Sequence, residues 1–353
     1  MNSSLRRRFR FLGGVSDEFT VTNGVLQGCP LSVMLLNALL SVWCVAVATE
    51  IPVTKPFAYA DDTTVVAEVH SAVQRATDLT AIFAELTGQI LSPSKSFFFA
   101  TSTRRVRKIN LKGSSLARRT QWKCLGARLT TNKARIGGSE EKIDAACAAA
   151  NRVSFLPIGF DGRTSLASML TLPKALHGCS VTPPTPKELG QLRAANMKAV
   201  WGPKRRMRST DVVLTLLCRG HRLDPFQAVT HTCLSHFHRM VARRPDLHND
   251  IQEVWLLRDG KNKSVPGPLA EVKRQLARLK WTWPRPFTFQ TPDGTILDLR
   301  TIGSGDLMHR VREADRLGIW RRVGAFRGDM RGVGGRNSKA SYARFAILSF
   351  FSS

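Results

Sequence analysis

The sequence predicts an α+β chain in which a small antiparallel sheet with backing helices precedes a mostly helical remainder. Over residues 30–100, an apolar run of helix length is followed by two short β runs, an amphipathic pattern and a strand-like run. Beyond residue 120, helical patterns dominate and prolines separate them. We therefore expect the order helix, hairpin, helix and strand first, and helices afterwards.

The charge of the chain is strongly positive and unevenly distributed. The 353 residues include 53 Lys or Arg and 26 Asp or Glu, which gives a formal net charge of +27. Residues 1–100 carry seven basic and eight acidic residues, whereas residues 101–353 carry 46 and 18. The later part is therefore expected to bind a polyanion, and an apolar content of 43% excludes disorder of the whole chain.

The cysteines and the N-terminus favour an intracellular protein. Seven scattered cysteines are an odd number without close pairing, which favours free thiols in a reducing compartment. The first 14 residues contain arginines but no apolar segment before a small-residue cleavage site, so no secretory signal is predicted.

The first predicted helix is the uncharged segment at residues 31–48. Its length approaches the ~20 residues that a membrane span needs, so a small membrane protein is one alternative. Polar residues within it, Ser32, Asn37 and Ser41, favour a buried core helix and disfavour a membrane partner.

The elements that follow are predicted from turns and periodicity. Residues 57–68 form two short β runs that meet at Asp61 and Asp62, which suit a tight turn. An amphipathic helix follows over 69–86 with Gly88 as its stop, and then a strand over 97–100. Further on, an apolar segment is predicted at 122–129, with helices at 140–150, 164–176, 188–201 and 225–242.

The adjacent carboxylates of Asp61 and Asp62 are the clearest chemical signal. Two acids at a hairpin tip repel each other unless a cation neutralises them, and Mg²⁺ is the hard, oxygen-seeking cation that does this. On its own, such a pair is far more typical of a solvated turn, so the metal-site interpretation depends on the neighbouring motifs.

Four blocks resemble the ordered motifs of reverse transcriptases, especially those of LINE-type (non-LTR) retrotransposons. The block GVLQGCPLS at residues 24–32, with Asn37, resembles motif B, and FAYADD at 57–62 resembles motif C. The block GQILSPSKS at 88–96 looks like motif D, and CLG at 124–126 looks like motif E. LPKALHG at 172–178 is more weakly similar to the thumb segment of these polymerases.

The resemblance implies RNA-directed DNA synthesis, in which a primer 3′-hydroxyl attacks the α-phosphate of a dNTP at two Mg²⁺ ions. The implied partners are an RNA template, a DNA primer and a dNTP. Asp61 and Asp62 would be the catalytic metal ligands, and Lys95 would stabilise the departing pyrophosphate. The implied contacts with dNTP or template are Gly24, Gln27, Gly28 and Tyr59, and the implied primer grip is Leu125 and Gly126.

The resemblance also implies a division of the chain. Residues 1–130 would be a partial polymerase palm, 131–205 a helical thumb, and 206–353 a basic C-terminal extension.

One departure from the family concerns the second metal-binding strand. Two-metal phosphoryl transfer needs a further aspartate, which the family supplies in motif A on a strand well before motif B. Only Asp17 and Glu18 precede motif B here, within a few residues of it, and Val33 stands where the family commonly has proline. Motif A and the fingers are therefore missing from this sequence. A chain that is inactive alone, or a catalytically dead nucleic-acid-binding remnant, stays open as an alternative.

Two further sets of residues are candidates for binding. Lys204, Arg205, Arg206 and Arg208 follow Trp201, and Trp281 and Trp283 alternate with cations, so both sets could contact nucleic acid. The alternative for the tryptophans is burial in a core. A third set, Cys218, His221, His231, Cys233, His236 and His238, matches no standard zinc knuckle, and its side chains diverge on a predicted helix, which disfavours zinc.

Overall fold

The computed structural model describes residues 6–8, 10–11, 13–20, 30–101, 106–131, 140–202, 209–259 and 267–326. The chain divides into two compact units, residues 1–120 and 121–353. This division precedes the boundary at 130 that the sequence suggested for a palm, and it assigns the segment at 122–129 to the second unit. Both units combine helices with short, mostly antiparallel strands, as the α+β prediction requires.

The first unit is built around a hairpin with a helix on either side of it in sequence. Helix α1 spans Pro30–Glu50, strands β5 (Thr54–Tyr59) and β6 (Asp62–Ala67) form the hairpin, and α2 spans His70–Leu86. This order confirms the one predicted from the sequence. Four short strands precede it and pair as two antiparallel ribbons, β1 (Arg6–Arg7) with β4 (Phe19–Thr20) and β2 (Arg10–Phe11) with β3 (Gly14–Val15).

Side chains of α1 and α2 form the core that supports this hairpin. Trp43 and Val47 of α1 are buried together with Ala72 and Ala76 of α2, and Val65 of β6 packs against them. The indole Nε1 of Trp43 donates a hydrogen bond of 3.1 Å to Thr80 Oγ1, so the largest buried ring also has its polar atom satisfied.

The opposite face of α1 is exposed. Leu31, Val33, Met34, Leu35, Val42 and Val45 are each about 60% exposed, so the predicted core helix is buried on one face of its later turns only, and none of the described side chains in its first turns is buried. Its Leu31–Glu50 segment has a mean hydropathy of 2.2 and is long and apolar enough to cross a membrane by length and composition.

Short strands complete the first unit. Strand β7 (Phe97–Phe98) pairs in parallel with β10 (Ala117–Arg118), while β8 (Asn110–Leu111) and β9 (Ser114–Ser115) form a hairpin. A small core joins them, comprising Phe98, Ile109, Leu111 and Leu116.

The second unit begins with a hairpin and four helices. Strand β11 (Gln121–Cys124) pairs antiparallel with β12 (Ala127–Thr130). The helices that follow are α3 (Glu140–Ser154), α4 (Phe160–Leu170), α5 (Leu172–Leu176) and α6 (Pro186–Trp201). The single helix predicted at 164–176 is thus two helices, because Pro173 lacks an N–H and its ring displaces the preceding turn.

The rest of the second unit contains further helices and a small sheet. A π-helix (Val212–Leu217) and α7 (Gly220–Leu223) lead into α8 (Pro225–Arg243), which agrees with the predicted helix at 225–242. Then come a 3₁₀ turn (Pro245–Leu247), α9 (His248–Asp259), α10 (Pro268–Leu279) and a three-stranded antiparallel sheet of β13 (Thr282–Arg285), β14 (Thr288–Gln290) and β15 (Ile296–Asp298). The last described element is α11 (Ser304–Phe326).

Helix α8 connects the predicted thumb with the predicted extension. Cys233 is buried with Ile143 and Leu192 of the predicted thumb helices, whereas its neighbour Leu234 is buried with Phe289 of the sheet. The segments 131–205 and 206–353 therefore share hydrophobic cores within one unit.

Candidate functional site

The two adjacent aspartates lie at the tip of the β5–β6 hairpin, which confirms their predicted placement. Tyr59 and Asp62 are the last paired residues of the two strands, and Ala60 and Asp61 form the two-residue turn between them. Ala60 has φ = 52°, in the left-handed region that such turns require. Both carboxylates are exposed, and Tyr59 is 66% exposed directly across from Asp62.

The two carboxylates are free to accept a cation. Among the residues that the structure describes, neither Asp61 nor Asp62 has a hydrogen-bond or ion-pair partner. Two adjacent negative charges without a counter-charge repel each other, and their oxygens are the ligands that hard divalent cations prefer. The pair therefore offers two carboxylate ligands for a hard cation, and the described residues place no third His, Cys, Asp or Glu beside them.

Of the other site residues that the resemblance implies, some lie within the described part of the chain and others do not. Lys95 lies in an exposed turn after α2, where its backbone N–H is 3.2 Å from Ser92 O, and no ion pair joins it to Asp61 or Asp62. Gly24, Gln27 and Gly28 lie outside the described residues, so their predicted contacts stay predictions.

The acidic residues that precede α1 are engaged differently from the hairpin pair. Glu18 forms ion pairs with Arg6 at 3.4 Å and with Arg8 at 3.2 Å. Its neighbour Asp17 is exposed. The Glu18 carboxylate is therefore already neutralised locally and would have to leave two guanidinium groups in order to bind a metal ion.

A basic surface on β8–β10 was not singled out as a binding site from the sequence. Residues 106–120 contain no acid and five exposed cations, Arg107, Lys108, Lys112, Arg118 and Arg119. Lys112 occupies the β8–β9 turn with φ = 49°, and the Arg119 guanidinium lies 4.7 Å from the Phe97 ring centroid. The signal that could have identified this surface was the complete absence of acids.

In the second unit, the predicted primer-grip residues form a tightly held turn. Leu125 and Gly126 join β11 to β12 with φ values of 47° and 78°. His177 Nε2–H donates to Leu125 O at 2.7 Å, and Lys142 Nζ donates to Gly126 O at 2.5 Å and to His177 O at 2.9 Å. Burial, with Lys123 and Arg128 nearby, lowers the pKa of Lys142.

Two glycines allow this turn to meet the segment after α5. A Cβ on Gly126 would lie 2.8 Å from His177 Nε2, and a Cβ on Gly178 would lie 2.9 Å from Ala127 Cβ. The blocks CLG at 124–126 and LPKALHG at 172–178 were selected independently in the sequence, and the structure brings them into contact.

The predicted stacking tryptophans are core residues. Trp281 is 5% exposed, so its ring cannot stack on a base, and that prediction is wrong for this residue. Trp283 Nε1 donates to Pro286 O at 3.1 Å, and its ring packs edge-on against Phe237 and Phe289. The four cations Lys204, Arg205, Arg206 and Arg208 lie outside the described residues.

The cysteine and histidine set is dispersed. His221 and His231 stack with their ring centroids 5.0 Å apart, whereas His238 Nε2 lies 2.9 Å from Ile302 O and His236 Nδ1 lies 3.2 Å from Ser180 Oγ. Within the described ranges, no group of three or more His, Cys, Asp or Glu side chains is placed to hold a metal ion.

Comparison with known proteins adds no relative from which a function could be transferred. No family model matches the sequence, and neither a curated protein nor a solved structure matches it. The features that bear on function are therefore the hairpin tip at Asp61 and Asp62, the tightly held turn at Leu125 and Gly126, and the positive charge of the chain.

Proposed function

We propose that this chain carries the part of a LINE-type reverse transcriptase palm that runs from motif B to motif E, followed by thumb helices and a basic extension. The family reaction is RNA-directed DNA synthesis. The observation that best supports the proposal is the exposed Asp61–Asp62 pair at the tip of a hairpin whose strands lie between two packed helices.

The geometry supports specific roles for the residues at the tip. Asp61 and Asp62 would hold a divalent cation, which would neutralise charge on a bound triphosphate. Tyr59, exposed beside Asp62, would limit where the primer end can lie. The clamped turn at Leu125 and Gly126 is held rigidly enough to position a primer strand, because three hydrogen bonds fix its carbonyls and the neighbouring segment.

The two carboxylates of the hairpin tip would suffice for nucleotide binding but not for catalytic turnover. Two Mg²⁺ ions bring four positive charges, and the hairpin supplies only two negative ones from a single tip. Glu18, one of the two acids before motif B, is paired with Arg6 and Arg8. Without an opposing carboxylate, no group bridges the two ions at the roughly 3.5–4 Å separation that in-line transfer uses.

Nucleotide binding to the full chain tests this proposal. We expect dTTP to bind weakly in the presence of Mn²⁺, and we expect Asp61→Asn and Asp62→Asn each to reduce the affinity at least tenfold. Glu68→Gln, which neutralises an exposed acid just beyond β6, is the matched control and should leave the affinity unchanged. Binding that is insensitive to the two aspartate variants would refute the assignment of the hairpin tip.

Primer extension tests the missing carboxylate. The 353-residue chain should extend no primer on an RNA template with either Mg²⁺ or Mn²⁺. Extension that Asp61→Ala abolishes would retain the polymerase assignment and would show that Asp17, Glu18 or a partner subunit completes the site.

A nucleic-acid-binding remnant without nucleotide chemistry is the second candidate. The observation in its favour is the basic segment at residues 106–120, which contains no acid and exposes Arg107, Lys108 and Lys112. This candidate predicts salt-dependent binding to RNA or DNA but no metal-dependent binding of dTTP, so the two assays together separate it from the first.

A further inference from the structure

A large open cavity lies within the second unit, apart from the hairpin that carries the aspartates. Its volume is about 1020 Å³, and its walls come from the β11–β12 hairpin, α4, α5, α7 and α8. This volume is at the upper end of the range of roughly 300–1,000 Å³ that is typical of small-molecule sites. Nothing in the proposed nucleotide chemistry uses this cavity as a whole.

The cavity walls are mostly apolar and remain exposed to solvent. Leu125, Phe160, Met169 and Val181 line it and are 50%, 37%, 66% and 37% exposed, respectively. Contact between large apolar side chains and water is unfavourable by about 25 cal/mol per Å² of exposed apolar surface. An occupant with a hydrocarbon or aromatic body would remove this surface from water.

One end of the cavity is basic. Arg219 and Arg222 line it, and both side chains are exposed without a carboxylate partner among the described residues. His221 lies beside them and stacks on His231 of α8. Asp161 of α4 is the one acid in the lining, so the cations outnumber it.

The imidazoles at this end are neutral near pH 7. Burial lowers the pKa of His221 to about 4, and His231, Arg312, Arg222 and Arg219 add to the effect. The pKa of His231 is lowered by burial and by Arg312. An anionic group would find a net positive charge here, since two arginines face the single acid Asp161, together with neutral ring nitrogens that can donate hydrogen bonds.

We propose that this cavity binds an amphiphilic organic anion, with its hydrocarbon or aromatic body against the apolar walls and its single anionic group at Arg219 and Arg222. A nucleic-acid strand fits less well, because it presents a charge at every nucleotide and needs a continuous row of cations. The cavity instead offers two arginines and a lining that is otherwise mostly apolar.

Calorimetric titration of the full chain with decanoate tests the proposal. We expect decanoate to bind with one site per chain, and decanol, the neutral analogue of the same chain length, to bind at least tenfold more weakly. Arg219→Gln and Arg222→Gln should each weaken decanoate binding about tenfold. Arg152→Gln, an exposed arginine on α3 outside the lining, should leave it unchanged.

A variant that fills the cavity supplies the second test. Ser165→Trp places a large ring on an exposed lining position of α4 and should abolish decanoate binding. The two arginine variants change exposed side chains and keep the test decisive if this variant does not fold.

Equal binding of decanol and decanoate, or unchanged binding in the arginine variants, would overturn the proposal. Displacement of decanoate by a short oligonucleotide would also overturn it, by assigning the cavity to nucleic acid. Because the aspartate hairpin belongs to the other unit, either result leaves the nucleotide-binding test unaffected.

Discussion

At the scale of single residues, Gly126 combines a left-handed backbone angle with close packing, as Gly178 also does. It has φ = 78°, and a Cβ there would lie 2.8 Å from His177 Nε2. We expect Gly126→Ala to lower the free energy of unfolding of the second unit by about 2–4 kcal/mol, from left-handed strain and from loss of the His177 hydrogen bond. Chemical denaturation followed by circular dichroism measures this change.

Gly294 is the matched control for that prediction. It has φ = 85° in the same unit, but a Cβ there would meet nothing within 4 Å. Gly294→Ala should therefore cost only the backbone strain, about 1–2 kcal/mol. Equal effects of the two substitutions would show that the close contact between Gly126 and His177 adds nothing to stability.

His221 predicts acid sensitivity of the second unit. Its pKa is about 4 in the folded protein, below its value in an unfolded chain, so the unfolded state binds more protons between pH 6.5 and pH 4. The contribution of His221 to stability should be fully present above pH 6.5 and should be lost as the pH falls through this window, whereas Asp315, whose pKa burial raises to about 6, contributes in the opposite direction. Each kcal/mol lost should lower the Tm by about 2–4 °C.

The variant His221→Asn tests this assignment by thermal unfolding at several pH values. It should make the Tm less sensitive to acid between pH 6.5 and pH 4, because one of the groups that take up a proton on unfolding is gone, while His231 and His236, whose pKa values burial also lowers, remain. His309→Asn, at a side chain that is 62% exposed, should leave the decrease as it is. A pH profile that is identical in wild type and His221→Asn would contradict the prediction.

The structural location of some of these residues could be predicted from the sequence, and that of others could not. The Asp61–Asp62 pair was predictable because local turn chemistry alone puts it at a hairpin tip. The burial of Trp281 was not, because its exposure depends on Phe289 and Leu307, which are eight and 26 positions further along the chain. The contact between Gly126 and His177 likewise joins residues 51 positions apart, which spacing alone does not reveal.

At the scale of elements, the turn of the β5–β6 hairpin carries strain that a glycine would relieve. Ala60 adopts φ = 52°, a conformation that costs an alanine about 1–2 kcal/mol. Ala60→Gly should raise the stability of the first unit by up to about 1 kcal/mol, since part of the gain is lost to the entropy of glycine in the unfolded chain. Thermal unfolding measures the shift.

Lys112 provides a comparison for the hairpin prediction. It occupies the β8–β9 turn of the same unit with φ = 49°, so Lys112→Gly should stabilise the unit by a similar amount. Destabilisation by Ala60→Gly would mean that its methyl group makes a contact the hairpin needs.

Long periodic patterns made four of the helices predictable from the sequence. Helices α2, α3, α6 and α8 have apolar residues at three-to-four spacing over 15 residues or more, and the structure contains each of them. The sheet of β13, β14 and β15 escaped prediction because its strands have four, three and three residues, too few to establish a period.

At the scale of the whole molecule, most of the positive charge of the chain is carried after residue 100. Residues 101–353 contain 46 basic and 18 acidic residues. Several of the acids are neutralised by internal arginines, as in the pairs of Arg193 with Asp211 and Asp224 and of Arg278 with Asp315. Polyanion binding should therefore be electrostatic and should release counterions.

We expect the chain to bind an RNA–DNA hybrid with strong salt dependence. Each phosphate contact contributes about 0.9 to the slope of log affinity against log salt, so six to ten contacts lower affinity by about 10³–10⁵ between 50 and 200 mM salt. Replacing Arg107, Lys108 and Lys112 by Gln should reduce this slope by up to about three, because all three are exposed in the basic segment of β8–β10. Fluorescence anisotropy of a labelled hybrid at several salt concentrations gives the slope.

The triple variant of Lys174, Lys187 and Lys198 to Gln, which removes three exposed lysines from α5 and α6, is the charge-matched control and should reduce the slope less. An affinity that does not change with salt would refute electrostatic binding, and equal losses in the two variants would refute a specific role for the β8–β10 surface.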